Sequence, residues 1–226
     1  MKKLLFIAVA VIASGCGVIV LMMVSLGYFP ELSRVIGLGA PRDLGVEYTA
    51  ADYAAAQDKL NQAMRQQFIN TSFTPAELTA LLSGCSQTAC VTQATQVRLT
   101  ADGGLELSGF VDRERLENLL RQLGDESTSS VLISSMIEYL PAQSAIYLEA
   151  ELVGKADVIF IDLDQLSLGG LRVSDHSLDN LESELSQLVN DYLVATPGTQ
   201  LTQLLISEDG LNLEADIKGW DLDRFE

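Results

Sequence analysis

The chain has 226 residues, of which 31 are Asp or Glu and only 14 are Lys or Arg, so its formal net charge at neutral pH is −17. All 31 acidic residues follow position 30, where Lys and Arg number 12 once Lys2 and Lys3 are set aside, and the formal charge of this region is −19. Such an excess of negative charge excludes nucleic acid as a partner and argues against electrostatic docking on anionic lipid surfaces.

The first predicted element is a membrane span. Leu4 to Phe29 forms a run of 26 uncharged residues. This is about 39 Å of helix at about 1.5 Å per residue, enough to cross a hydrocarbon core of about 30 Å. Lys2 and Lys3 precede the span, which favours a cytoplasmic N-terminus. We therefore expect a single-pass signal-anchor at 1–29 in the cell membrane, a linker at 30–45 and an extracytoplasmic domain at 46–226.

Cys16 gives this segment a second interpretation. The stretch IASGC resembles the lipobox of bacterial lipoproteins, in which the Cys is lipidated and becomes the new N-terminus. The chain stays apolar after Cys16, however, whereas a signal sequence turns polar near its cleavage site. An uncleaved anchor is the favoured interpretation, and lipidation of Cys16 is the alternative.

Two further cysteines, Cys85 and Cys90, lie close together in GCSQTACV. An oxidising compartment would permit a disulfide between them, and two free or buried thiols are an equal alternative. The only histidine, His176, is far away in the sequence, so no zinc site is predicted.

Helix signals recur along the acidic region. Thr49 is the predicted N-cap of a helix in AADYAAAQDKLNQAMRQQF, and Thr74 with Glu77 forms a capping box at the start of a second helix. Further helices are predicted in DRERLENLLRQLG and at 130–140. The strongest amphipathic pattern is SDHSLDNLESELSQLVNDYL, with leucines on one face and acids on the other.

Hairpin signals separate these helices. Alternating apolar and polar residues flank turns at Asp102-Gly103-Gly104, near Gly154-Lys155 and at Asp209-Gly210. The first and last hairpins resemble one unit used twice, each with a helix before it. The predicted class is α+β: an N-terminal transmembrane helix followed by one domain of antiparallel hairpins wrapped around amphipathic helices.

One strand, ADVIFIDLDQ, is apolar on both faces. Ile159, Ile161 and Leu163 point one way, and Val158 and Phe160 point the other. Such a strand is either sandwiched between two layers or has one face lining an apolar groove. The groove interpretation predicts a ligand-binding set of six residues: Ile146, Leu148, Val158, Phe160, Leu185 and Leu188.

The order of FTPAELTALL, VRLTADGGLELSGF, a long hairpin, LSLGGLRVSDHSLDNLESELSQLVNDYL and LLISEDGLNLEADI resembles YpmS-like membrane-anchored bacterial proteins. More distantly, it is similar to the tubular lipid-binding (TULIP) proteins. The resemblance covers roughly residues 73–217 and implies a curved antiparallel sheet around a long helix, with an apolar lipid-holding groove. High acidity and few aromatic residues depart from that pattern.

Enzymatic chemistry has little support in the sequence. No phosphate-binding, dinucleotide-binding or zinc-protease motif occurs, and no serine lies in a nucleophile-elbow context. We expect no catalysis, cofactor or metal. The expected function is that of an extracytoplasmic domain that binds a lipid or other apolar ligand in a groove. The alternative is a cell-envelope scaffold or assembly protein that binds another protein. A cavity of several hundred Å³ would favour the first, and a closed core with an exposed apolar patch the second.

Overall fold

The computed structural model describes residues 40–84, 92–115, 117–118, 141–169, 171–196 and 198–218. The predicted span, Cys16, the pair Cys85 and Cys90, and the helix expected at 130–140 lie outside these residues. In the part of the chain that is described, no helix is both long enough and apolar enough to cross a membrane.

The described elements form an α+β fold with a curled antiparallel sheet, as the sequence predicted. In chain order they are α1 (Ala50–Gln66), β1 (Phe68–Phe73), α2 (Pro75–Gly84), β2 (Thr92–Leu99), β3 (Gly104–Asp112), β4 (Gln143–Lys155), β5 (Val158–Leu168), β6 (Leu171–Arg172), α3 (Asp175–Ala195), β7 (Thr199–Ser207) and β8 (Gly210–Ile217).

The predicted helix starts are confirmed by their caps. The Thr49 side chain accepts from the Asp52 N–H at 3.3 Å, and the Asp52 carboxylate accepts from the Thr49 N–H at 2.7 Å. At α2, Thr74 and Glu77 exchange the same pair of bonds at 3.2 and 2.9 Å. Each cap satisfies backbone donors that a helix start leaves free. Of the third predicted helix, residues 113–115 and 117–118 are described, and they are helical.

β4 is the strand on which the sheet is organised. The main path of the sheet is β1-β8-β7-β4-β3-β2. β5 also pairs with β4, and β6 pairs with β5. Each described pairing is antiparallel. β5 pairs with β4 from Ile146 to Lys155, so β3 and β7 share the opposite edge of β4. The turn between β4 and β5 is Ala156-Asp157, two residues later than expected.

The helices lie against one face of the sheet, which we call the inner face. One apolar cluster joins α1, β1, β7 and β8, and a second joins β4, β5 and α3. The buried members of the first are Ala56, Ala63, Ile69, Phe73, Leu201, Ala215 and Ile217. Those of the second are Ala150, Leu163, Leu166, Leu178 and Leu181.

Helix α2 also covers one edge of the sheet, along β2. The Thr79 hydroxyl accepts from the Val97 N–H at 2.9 Å, and the Ser83 hydroxyl donates to the Thr95 carbonyl at 2.8 Å. These two side chains are four residues apart and therefore lie on one side of the helix. Outward-facing backbone groups of an edge strand are thus bonded to side chains of a helix.

Helix α3 covers the edge of β5 in the same way. The N–H groups of Ile159 and Ile161 donate to Asn190 and Ser186 at 2.8 and 3.3 Å. The Asn190 amide also donates to the Ile159 carbonyl at 2.9 Å. Because unpaired strand edges invite pairing with other chains, both helices remove a potential site of unwanted association.

Candidate functional site

The six residues predicted to line a groove lie on two different faces. Ile146, Leu148 and Leu185 are half-buried and pack against the inner cluster of β4, β5 and α3. Leu188 lies on the same helix as Leu185 and is also half-buried. Val158 and Phe160 alternate with the inward-facing Ile159, so they point to the outer face. The structure therefore does not bring all six residues to one surface.

Val158 and Phe160 belong instead to an apolar surface that we call the outer patch: Val153, Val158, Phe160 and Leu205. Their exposed fractions are 49, 38, 64 and 44%, respectively. Val153 is the direct cross-strand partner of Phe160, so the two side chains lie on the same face. Gly154 pairs with Leu204 on the antiparallel strand β7. The next residues along the two strands are Val153 and Leu205, so Leu205 lies beside Val153.

The turn at the tip of the β4–β5 hairpin attaches this surface to β7. The Asp157 carboxylate accepts from the Leu201 N–H at 2.7 Å, and the Asp157 N–H donates to the Leu201 carbonyl at 2.9 Å. Ala156 and Asp157 both have positive φ, 52° and 65°, which suits the tight two-residue turn. This contact brings Leu205 to the same surface as the hairpin residues.

Charged side chains border the outer patch. Lys155 is paired with Val158, and Glu151 is paired with Asp162, so these charges point to the same outer face. Two opposed carboxylates next to exposed apolar side chains form an acidic rim on one side of the patch. A complementary surface would be apolar at its centre and basic where it faces Glu151 and Asp162.

Further along the same face, a polar cluster is buried beneath the N-terminal segment. The guanidinium of Arg98 donates to Glu106 at 2.7 Å, and this bond raises the pKa of Arg98. The Tyr147 hydroxyl donates to Glu149 at 3.0 Å. Glu106 and Glu149 are direct cross-strand neighbours of like charge. Arg98 neutralises the charge of Glu106, and the neutral Tyr147 hydroxyl only donates a hydrogen bond to Glu149. Burial, followed by the bond to Glu149, raises the pKa of Tyr147 to about 12.

Residues 40–45, which belong to the predicted linker, lie against this cluster. The Leu44 N–H donates to the Gln96 side chain at 2.6 Å, and the Leu44 side chain is buried. The Arg42 guanidinium stands 4.7 Å from the centre of the Tyr147 ring. Asp43 accepts from the Gly45 N–H, which lowers the pKa of its carboxyl. The chain is therefore ordered against the sheet before α1 begins.

Two cavities have described lining residues. The first, about 350 Å³, is lined by Asp58, Asn61, Gln62, Arg65 and Gln66 of α1. The second, about 170 Å³, is lined by Ala40, Arg42, Ala145, Ile146, Tyr147, Gln165 and Ser167. Of the six residues predicted to line a groove, Ile146 contributes to the second cavity. Both cavities have charged and amide side chains in their walls.

Among the described residues, no group of three or more His, Cys, Asp or Glu side chains is close enough together to hold a metal ion. His176 is exposed near the start of α3, and Asp162 and Asp164 are exposed on β5.

Val153 and Leu205 are the members of the outer patch that the sequence reasoning missed. A usable signal was present in LLIS, where consecutive apolar residues predict a strand that is apolar on both faces. The same pattern identified Val158 and Phe160. Val153 gave a weaker signal because its neighbours along the outer face of β4, Glu151 and Lys155, are charged.

Comparison of the chain with protein-family models, with curated proteins and with solved structures yields no match.

Proposed function

We propose that this chain is a membrane-tethered, extracytoplasmic, non-catalytic binding domain that docks another protein of the cell envelope through the outer patch. The observation that carries the proposal is the exposure of Phe160, 64%, within a group of four exposed apolar side chains. Exposed apolar side chains gathered at one place are typical of interaction sites, whereas isolated ones are not informative.

The use of the inner face also supports this proposal. Ile159, Ile161 and Leu163 of β5 pack against the inner clusters, so that face of the strand already has partners within the chain. Phe160 and Val158 point away from them. Closing a partner over a side chain of this size contributes about 1.5–3 kcal/mol, which makes Phe160 the main candidate anchor.

The partner expected from this surface is a protein with an apolar centre and Lys or Arg at its border. Glu151 and Asp162 lie beside the patch, and the region after residue 30 has a formal charge of −19. Charge of this sign would speed association with a basic partner and exclude acidic ones.

Photo-crosslinking in the cells that make the protein tests the proposal. A crosslinking phenylalanine analogue would replace Phe160 in the full chain, and the matched control would carry it at Val194, an 81% exposed residue of α3. We expect a protein adduct of one defined mass from position 160 and none from 194. Val153→Ser should reduce that adduct roughly tenfold, because the partner loses apolar contact. Equal adducts at both positions, or no protein adduct at 160, would exclude the outer patch as a docking site.

The membrane tether has its own test. The run of 26 uncharged residues after Lys2 and Lys3 supports a single span with the acidic region outside the cytoplasm. Protease added to intact spheroplasts should remove the acidic region while leaving a cytoplasmic marker protein uncut. Survival of that region until the membrane is permeabilised would contradict the proposed orientation.

Binding of a lipid or other apolar ligand is the second candidate, and a different observation favours it. On the inner face, Ile146, Leu148, Leu185 and Leu188 are only half-buried, so a row of apolar side chains retains accessible surface. The same crosslinking group at Leu148 should then yield a lipid adduct by mass spectrometry of the purified chain. The two candidates predict adducts of different chemical class from different faces of the sheet.

A further inference from the structure

Besides the two edges covered by helices and the two-residue strand β6, the sheet has a described edge at β1. β1 is the terminal strand, paired with β8 from Phe68 to Phe73 without a register shift. Its sequence, FINTSF, contains no charge and no proline. Charged residues, prolines and bulges are the usual devices that prevent pairing at an edge, and β1 has none of them.

The pairing pattern identifies which backbone groups of β1 face outward. The Ile217 N–H donates to the Gln67 carbonyl at 3.0 Å. The backbone N–H and C=O groups of Gln67, and of every second residue after it, therefore point towards β8. Phe68, Asn70 and Ser72 therefore direct their N–H and C=O groups away from the sheet. This assignment agrees with the bond from the Lys59 ammonium to the Ser72 carbonyl at 2.7 Å.

Lys59 covers only one end of this edge. Its ammonium is held by Glu77 at 2.7 Å as well as by Ser72, so it cannot also reach the other end of the strand. Within the described part of the chain, no hydrogen bond is made to the outward backbone groups of Phe68 or Asn70, and Asn70 is exposed. Two successive outward donor–acceptor pairs therefore have no hydrogen-bond partner among the described residues.

The charge beside this edge indicates what it would bind. Asn70 is paired with Glu214, and Phe68 is paired with Asp216, so two carboxylates lie one strand away on the same outer face. Asp216 also forms a solvent-exposed ion pair with Lys218 at 3.4 Å, which is weak enough to exchange for another cation. A second copy of this chain would bring the same acidic surface against them. A segment with Lys or Arg at alternating positions would place cations within reach of both carboxylates while its backbone bonded to β1.

We propose that the edge of β1 at Phe68 and Asn70 is a docking site for an extended, basic segment of another protein, which adds to the sheet as a new edge strand. This site is distinct from the outer patch and does not depend on it. Backbone hydrogen bonds would supply affinity, and the carboxylates of Glu214 and Asp216 would supply selectivity for cationic side chains.

The test uses the full chain in nanodiscs and a fluorescent peptide of alternating Lys and Val. A matched peptide has the same sequence but is N-methylated at the alternate amides that would face β1, so it keeps its charge and loses its donors. We expect the unmethylated peptide to bind roughly tenfold more tightly, because the methylated peptide cannot donate backbone hydrogen bonds to β1. Its binding should slow amide exchange at Phe68 and Asn70.

Two protein variants complete the test. Asn70→Pro removes an outward donor that β8 does not use, and it should reduce binding to the level of the methylated peptide, whereas Asn70→Ala should bind normally. Equal affinity for both peptides, or binding without slower exchange at Phe68 and Asn70, would mean that the contact is electrostatic. Either result would overturn the proposal. The absence of any binding would overturn it as well. If Asn70→Pro does not fold, the peptide pair and the exchange measurement on the unaltered chain decide the outcome.

Discussion

Ala156 shows how one residue can retain backbone strain at a turn. Its φ is 52° at the tip of the β4–β5 hairpin, in the left-handed region that L-residues other than Asn and Asp avoid. The following residue, Asp157, tolerates this region better, and its carboxylate bonds to Leu201. The alanine has no such compensating contact, because its side chain is a single methyl group.

Ala156→Gly is therefore expected to stabilise the fold by about 1 kcal/mol, since relief of the left-handed strain exceeds the extra entropy of glycine in the unfolded chain. The free energy of unfolding in urea, followed by circular dichroism, measures this change. Asp157→Gly is the control, and it should gain less because the bond to Leu201 is lost. A lower stability for Ala156→Gly would contradict this account of the turn.

Tyr147 predicts how stability changes at alkaline pH. Burial and the bond to Glu149 raise its pKa from 10.0 to about 12 in the folded state. The folded chain therefore keeps a proton that the unfolded chain loses, and this stabilisation is fully present below pH 10 and is lost as the pH rises through about 12.

Tyr147→Phe has no such proton, so its stability should decline less steeply between pH 10 and 12. The difference from the unaltered chain across this interval is expected to be at most about 3 kcal/mol. Urea unfolding at a series of pH values gives both slopes, and Tyr48→Phe, at an exposed tyrosine, is the control. Parallel slopes for Tyr147→Phe and the unaltered chain would show that Tyr147 does not carry the effect.

At the scale of elements, helices α2 and α3 do more than shield an apolar face. Each presents hydroxyl, amide or carboxylate groups at four-residue spacing to the outward backbone of an edge strand. In the sequence, Ser186 and Asn190 fall on the polar side of an amphipathic helix, which predicts exposure to water. Only the position of α3 beside β5 turns that polar side towards a strand edge.

Thr79 offers the sharpest test of this edge cover because it is fully buried, with no exposed surface. Thr79→Val keeps the shape of the side chain but leaves the Val97 N–H without its acceptor, so it should destabilise the fold by about 1–3 kcal/mol. Thr79→Ser retains the hydroxyl and should cost less. Faster amide exchange at Val97 in Thr79→Val but not in Thr79→Ser would show that the stability is lost through the hydrogen bond to the edge of β2. Equal losses in both variants would instead point to side-chain packing.

The similarity between the first and last hairpins does not extend to their helices. α2 precedes the β2–β3 hairpin and covers β2. α3 precedes the β7–β8 hairpin but covers β5, a strand of a different hairpin. Turn residues and strand alternation recur in the sequence because they are local requirements of any hairpin. The partner of each helix depends on the sheet around it.

For the whole molecule, the junction of β4 with β7 joins the two halves of the sheet. Gly154 pairs with Leu204 there, and it is buried. A methyl group on Gly154 would lie 2.8 Å from the Leu201 side chain and 2.8 Å from the Leu204 Cβ. The second contact is with an atom attached directly to the backbone, so β7 itself would have to move.

Gly154→Ala is therefore expected to destabilise the whole fold by about 1–3 kcal/mol through overpacking at the junction. Amide exchange should accelerate in β7 and β8 more than in β2 and β3, because only the first pair joins β4 through this contact. The matched control is Ala150→Gly, which opens space on the same inner face of β4 away from β7. Uniform acceleration across the sheet would argue against a local role for Gly154.

The sequence by itself determined the α+β class, the starts of α1 and α2, the extent of α3 and the antiparallel hairpins. These features depend on residues close together in the chain, such as Thr74 with Glu77 in a capping box or the alternation along β5. It also predicted correctly that Val158 and Phe160 face away from Ile159 and Ile161. Strand alternation alone is sufficient for that prediction.

Only the tertiary structure decided what those faces meet. The predicted groove combined Phe160 with Leu148 and Leu185, but these residues lie on opposite faces. Phe160 pairs with Val153, which points to the face of β4 opposite Leu148, and α3 packs on the Leu148 side. It also decided that β2 and β5 are covered edges and that no described residue bonds to the outward backbone of β1 at Phe68 and Asn70. Edge exposure depends on contacts between segments far apart in the chain, which no local pattern of residues specifies.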